Sequence, residues 1–343
     1  MRLRIYILTL SVLTIFGCGQ NSKYPYKISD FRPELKKQIQ KIISEGQLSY
    51  NPDTLTLNFL NDSCTKDELL KLMDFENPLV RVIAYRTIVN RNEPDYFPIL
   101  LNHLDDTAKV TWWYYDDAAY DFMVSDLMIR KAESERKLTR PQKDSLVDIV
   151  LTKHAYLDVA GWMIQDIKPQ EKYYSIIKEK SKVETDRCGE QLGTCYALSK
   201  FKKKEDLEFL RKIFKNLENP CEDWIFRSIE ENPNEIYFPI LNAYFNETVK
   251  KKTQQTYDDL KLYCRAVAQY KNQNSLNILV ALTKKETYPD SWYLPDNKEY
   301  VFKAIHKYKS PIYDSLYNSL KPQMSEFVMK YLDIPDYDDR TTW

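Results

Sequence analysis

Glycine is nearly missing from this chain, with 6 among 343 residues, and histidine is scarcer still, with 3. Net charge is missing too, because 50 basic side chains are cancelled by 50 acidic ones. Each shortage excludes something. So few glycines cannot supply the tight turns of a β-rich fold, and 29% charged with 13% aromatic residues points to long helices joined by short connections, an all-α protein. A balanced charge removes the strong field that draws a protein to nucleic acid or to an anionic bilayer, so no nucleic-acid partner is expected. His103, His154 and His306 lie in widely separated segments, and no pair has the i, i+4 spacing that lets two imidazoles share a zinc. Gly-rich phosphate loops and a Gly-x-Ser-x-Gly elbow are absent as well. Neighbouring carboxylates such as Asp105 with Asp106, Asp116 with Asp117 and Asp258 with Asp259 point different ways from a helix and are read as caps or solvated groups. The expectation is no catalytic set, no metal and no cofactor.

One long apolar run is present, and it sits at the start. Arg2 and Arg4 precede an apolar stretch over 5–16, too short for the ~20 residues of a membrane-spanning helix and about the length of a signal-peptide core. Ile15, Phe16, Gly17 and Cys18 resemble a bacterial lipobox, although Phe16 is bulkier than that motif prefers. The resemblance implies cleavage before Cys18 and acyl chains on its thiol, and an ordinary secretory signal that happens to contain Cys18 is the alternative. Residues 1–17 are therefore read as a lipoprotein signal peptide, 18–30 as a polar tether, 31–332 as the folded domain and 333–343 as an acidic tail. No acidic residue occurs between Cys18 and Asp30, which favours a periplasm-facing leaflet, the outer membrane before the inner. Membrane contact is expected through the N-terminal lipid only.

The body of the chain has a paired rhythm. Thr65 and Glu68 form a capping box ahead of Leu69, Leu70 and Met73, and after a turn Asn77 can cap a second helix with Pro78 at its first position. Val80, Ile83, Ala84 and Ile88 mark one apolar face of that helix while Val82, Tyr85 and Val89 mark another, so neighbours must cover both. Phe97, Leu100, Leu101 and Leu104 give the stripe of its partner. The stretch 67–106 resembles a HEAT repeat, with Pro78, Val80, Arg81 and Ala84 at the positions that carry the likeness. The segment 76–100 recurs at 218–241, where Arg227, Ile229 and the block from Tyr237 to Leu241 answer Arg86, Ile88 and the block from Tyr96 to Leu100. Second-helix anchors near Phe97, Leu146, Tyr174, Phe209, Phe238, Ile278 and Tyr313 continue the rhythm at the spacing of stacked helix pairs. The resemblance implies an α-solenoid of about seven HEAT-like helical hairpins, since one pair cannot hide both its apolar faces alone.

Beyond Cys18 there are five cysteines, so one must stay unpaired in a monomer. Cys188 and Cys195 in one helix would stand ~10 Å apart, too far to bridge. Cys188 and Cys221, 33 residues apart near the starts of first helices in adjacent repeats, are the pair that an oxidising compartment could join; free, partly buried thiols are the alternative. Trp112, Trp113, Tyr114 and Tyr115 stand in a row before a helix expected from Asp116 to Lys137, and are candidates for contact with a partner, or for plugging the gap of an atypical repeat. Lysine runs at 202–204 and 250–252 read as solvated helix ends. The functional expectation is a non-catalytic scaffold that binds an unidentified protein; an envelope enzyme or accessory subunit with a site in the groove, and a self-associating structural lipoprotein, are the competing classes.

Overall fold

The computed structural model describes residues 23–49, 54–115, 118–135, 138–184, 188–215, 221–249, 257–284 and 297–334. The signal peptide, Cys18, the pair Asp116 and Asp117, the lysines at 250–252 and the tail beyond 334 lie outside them. The protein is mostly helical, with eighteen α-helices among the described residues. Where the sequence suggests one domain over 31–332, the chain divides into two compact units, 1–137 and 138–343.

In the first unit α1 (Pro33–Glu45), α2 (Thr54–Ser63), α3 (Lys66–Met73), α4 (Pro78–Asn90) and α5 (Tyr96–Asn102) are followed by β1 (Lys109–Tyr115), β2 (Ala118–Met123) and α6 (Val124–Ser134). Local signals set the helix starts. The Thr65 hydroxyl accepts from the Glu68 amide at 3.2 Å while the Glu68 carboxylate accepts from the Thr65 amide at 2.9 Å, and the Asn77 side chain accepts from the amides of Leu79 and Val80. Gly46 ends α1 with φ +68, the left-handed region. Helix α4 is the centre of this unit, packed against α1, α2, α3, α5, α6 and β1, with residues of every face buried.

Two expectations are corrected here. Strands 109–115 and 118–123 pair antiparallel, Trp112 opposite Tyr120, and Leu48 bridges to Trp112 from the other side, so the helix expected from Asp116 begins only at Val124 and ends at Ser134. Val110, Thr111 and the four aromatics form an unbroken run of β-formers, whose branched or ring side chains fit a pleated surface better than a helix. The tether is also shorter than 18–30. Tyr26 bridges to Phe75, its amide donating to Asp74 and its carbonyl accepting from Glu76; the Tyr24 ring lies 3.7 Å from the Arg81 guanidinium; and residues 28–30 form a helical turn. From Lys23 onward the chain belongs to the folded unit.

The second unit contains α7 (Arg140–Lys153), α8 (Asp158–Asp166), α9 (Glu171–Ser181), α10 (Cys188–Ser199), α11 (Leu207–Phe214), α12 (Glu222–Glu231), α13 (Phe238–Tyr244), α14 (Tyr257–Ala268), α15 (Gln273–Leu282), α16 (Asn297–Lys307), α17 (Asp314–Leu320) and α18 (Glu326–Tyr331). Helix α10 packs on α8 and α12, α14 packs on α12 and α16, and α9, α15 and α17 pack beside α10, α14 and α16. Buried apolar residues on these helices include Met163, Leu192, Phe226, Tyr263 and Val301, all at most 3% exposed. Gly193 permits a close approach between α8 and α10, because a Cβ there would lie 2.3 Å from the Gln165 side-chain nitrogen.

Candidate binding groove

The even-numbered helices of the second unit bring their last turns to one surface. Asp166 ends α8, Tyr196 and Lys200 stand at the end of α10, Trp224, Arg227, Glu230 and Glu231 lie along α12, Arg265 and Gln269 close α14, and Lys307 and Tyr308 close α16. Together with Lys168 and Lys202 they line a cavity of about 430 Å³. Arg265 and Lys307 also wall a second cavity of about 630 Å³, lined by Lys261, Lys271, Lys303, His306, Lys309 and residues 331–334. The two cavities share Arg265 and Lys307 as a common wall, and are together called the groove.

Glu230 is the pivot. It is 7% exposed. Its Oε1 accepts from Arg265 Nε and Nη2, each at 2.8 Å, from Lys307 Nζ at 3.1 Å and from the Tyr308 hydroxyl, while its backbone carbonyl accepts from Gln269 at 3.2 Å. Four donor groups from three residues on one oxygen compensate the cost of taking this carboxylate out of water. Glu231 pairs with Lys202 at 3.2 Å and Asp333 with His306 at 2.8 Å.

Lys200 is held differently. Its ammonium donates to the carbonyls of Gln165 at 2.6 Å and Ile167 at 3.4 Å, at the end of α8, and sits 4.3 Å from the Tyr196 ring centre. Burial pushes its pKa down to about 8, against the upward pull of Asp166 and Glu231. Tyr196 and Trp224 rings lie 5.6 Å apart, and the Arg227 guanidinium is 5.4 Å from the Trp224 ring. The arrangement combines cations and aromatic faces on a concave wall, which suits the recognition of carboxylates and rings.

The residues singled out from sequence are placed as follows. Trp112 and Trp113 are half-buried in the first unit, Trp112 packing on Phe122 at 5.7 Å and the Trp113 indole donating to Gln47 at 2.7 Å. The side chains of Tyr114, Tyr115 and Cys188 lie outside the described ones, as does Cys18. Cys221 is disulfide-bonded, whereas Cys64, Cys195 and Cys264 are free and buried, so the free-thiol alternative does not extend to Cys221. Burial pushes the thiols up, Cys64 to about 11 and Cys195 to about 12. The histidines each serve a local bond: His103 with the Ile99 carbonyl, His154 with the Tyr156 hydroxyl and His306 with the Tyr317 hydroxyl. No cluster of three or more His, Cys, Asp or Glu able to hold a metal occurs among the described residues, and no helix among them is long and apolar enough to cross a membrane.

Sequence reasoning missed two ionic features. Asp106 is no solvated cap. Its carboxylate accepts two bonds from Arg81, at 2.7 and 3.0 Å, with both side chains 1% exposed, and Arg81 also donates to the carbonyls of Phe75 and Glu76. The groove was missed because its members are single charges on five separate helices; the recurrence of Lys or Arg near helix ends was the available signal. Comparison with protein-family models, with curated proteins and with solved structures returns no match for this chain.

Proposed function

We propose that the protein is a non-catalytic, lipid-tethered scaffold of the bacterial cell envelope, facing the periplasm, that binds another protein along the groove of its second unit. On this reading the helix pairs are HEAT-like hairpins of an α-solenoid, about seven by the rhythm of the sequence. The supporting observation is the row α8, α10, α12, α14 and α16, whose ends place charged and aromatic side chains side by side along a surface rather than around one reacting point. The test is photo-crosslinking in cells from position 202, in the groove, and from Leu55, which is 74% exposed in the first unit. A discrete protein adduct from position 202 and none from position 55 is expected; no protein adduct from position 202 overturns the reading. Fatty-acid labelling that disappears with Cys18→Ala tests the tether. Cys188 is the proposed partner of Cys221, checked by peptide mapping without reductant.

One observation favours the enzyme alternative, namely Lys200, whose depressed pKa in a cavity wall is a property of amine nucleophiles. Its bonds to two carbonyls argue instead that it closes the end of α8. Covalent capture of a carbonyl compound on Lys200 after borohydride treatment would move the enzyme reading ahead.

A further inference from the structure

We infer that the groove of the second unit takes a partner of one chemical kind, an extended acidic polypeptide segment carrying aromatic side chains. This rests on the reading of the groove as a protein-binding surface and specifies the occupant. The chain as a whole is neutral, yet among the described residues the two cavities are lined by ten lysines and arginines against four carboxylates. A concave wall with that imbalance concentrates positive potential and attracts anions. Of the four carboxylates, three are already engaged by groove side chains: Glu230 by Arg265 and Lys307, Glu231 by Lys202, and Asp333 by His306. Lys168 and Lys271 are exposed and have no carboxylate partner among the described residues. They stand towards opposite ends of the groove, one after α8 and one after α14.

Shape and precedent select a polypeptide over a compact anion. Helix axes pack ~8–10 Å apart, so five helix ends in a row span at most ~40 Å, less here because Lys307 and Tyr308 at the end of α16 reach Glu230 on α12, and about twelve extended residues at ~3.3 Å each is the longest segment the surface would hold. Rings of the ligand would find Tyr196, Trp224 and Tyr308 interleaved with the cations. The protein's own residues 331–334, the last of α18 and the turn that follows it, line one end of the groove, where Asp333 lays its carboxylate on His306 Nε2 at 2.8 Å. A partner would repeat that contact along the rest of the surface.

The experiment uses the full chain from residue 19, without lipid, and fluorescent peptides of about twelve residues, a length set by the span above. One repeats Glu-Glu-Tyr, its control repeats Gln-Gln-Tyr, and a linear oligogalacturonate of similar length and an oligothymidylate serve as carboxylated sugar and nucleic-acid competitors. The acidic peptide should bind more than tenfold tighter than its neutral control, weaken steeply with salt, and lose about tenfold with Lys168→Glu combined with Lys271→Glu, two exposed positions whose exchange leaves the helices intact. Equal binding of the two peptides, or no effect of the double exchange in a protein with unchanged thermal unfolding, overturns the inference. So does tighter binding of either competitor. In each of these cases a protein adduct from position 202 would still stand, because crosslinking does not depend on the partner being acidic.

Discussion

Helices α4 and α12 come from the same repeated stretch of sequence and use it to opposite ends. Tyr85 and Phe226 are both fully buried, and the Thr87 and Ser228 hydroxyls both bond one turn back, to the carbonyls of Ile83 and Trp224 at 3.0 and 2.7 Å. The equivalence fails at the next turn, where Val89 is fully buried among apolar groups and Glu230 replaces it with a charge. In the first unit the ion pair is at the start of the helix, sealed between Arg81 and Asp106; in the second it is at the end, where Lys307 reaches Glu230 from an exposed position. A helix pair can keep its apolar contacts while its charges move from the interior to an edge. Sealed charges fix a structure, and charges at an edge remain able to exchange partners.

That contrast can be broken by substitution. Asp106→Ala leaves a buried guanidinium without its carboxylate and should cost ~3–5 kcal/mol, read by urea unfolding. Glu230→Val should cost less, ~2 kcal/mol, because the exposed Lys307 can turn to water, while Arg265, at 7% exposure less tightly sealed than Arg81 at 1%, bears the rest of the loss. Equal losses would show that the two ion pairs are buried alike and would erase the distinction. Combining Glu230→Val with Arg265→Leu, which gives α12 the residue found at position 89, should bring stability back to within ~1 kcal/mol of the native protein. Next in size is a pH effect. Lys200 holds its proton less tightly when folded, with a pKa of about 8 against 10.5, so between these values the unfolded chain binds more proton. Its contribution therefore favours folding increasingly as pH rises through that window, and NMR of the methylated lysine should show the titration directly. Smallest is the response to alkylation: Cys64, Cys195 and Cys264, buried with raised pKa values, should stay unmodified by iodoacetamide at neutral pH until the protein unfolds.

The helices were legible where the pattern is local. Capping at Thr65 and Asn77 and the apolar stripes through Met163, Cys195, Tyr263 and Ala304 announce elements that the structure contains, because a helix is specified by contacts within a few residues. The strand pair was overlooked because glycine scarcity and overall composition were allowed to outweigh a local run of β-formers at 110–115. The groove was illegible for a different reason. Lys200, Glu230, Arg265 and Lys307 each look like an ordinary charge near a helix end, and only the packing of α10, α12, α14 and α16 gathers residues more than a hundred positions apart. Asp106 shows the same limit, since its partner Arg81 lies 25 residues away.

The Tyr24 ring on Arg81 has a consequence for distance. With an acyl chain on Cys18, five residue steps at ~3.5 Å leave Lys23 no farther than ~18 Å from the bilayer. The first unit would then ride on a short leash, against the lipid headgroups rather than in open periplasm. On the proposed lipidation, Tyr24 would share the mooring with the Lys23–Asp105 ion pair and the Tyr26 bridge to Phe75, and loosening all three would pay out more line without touching the anchor.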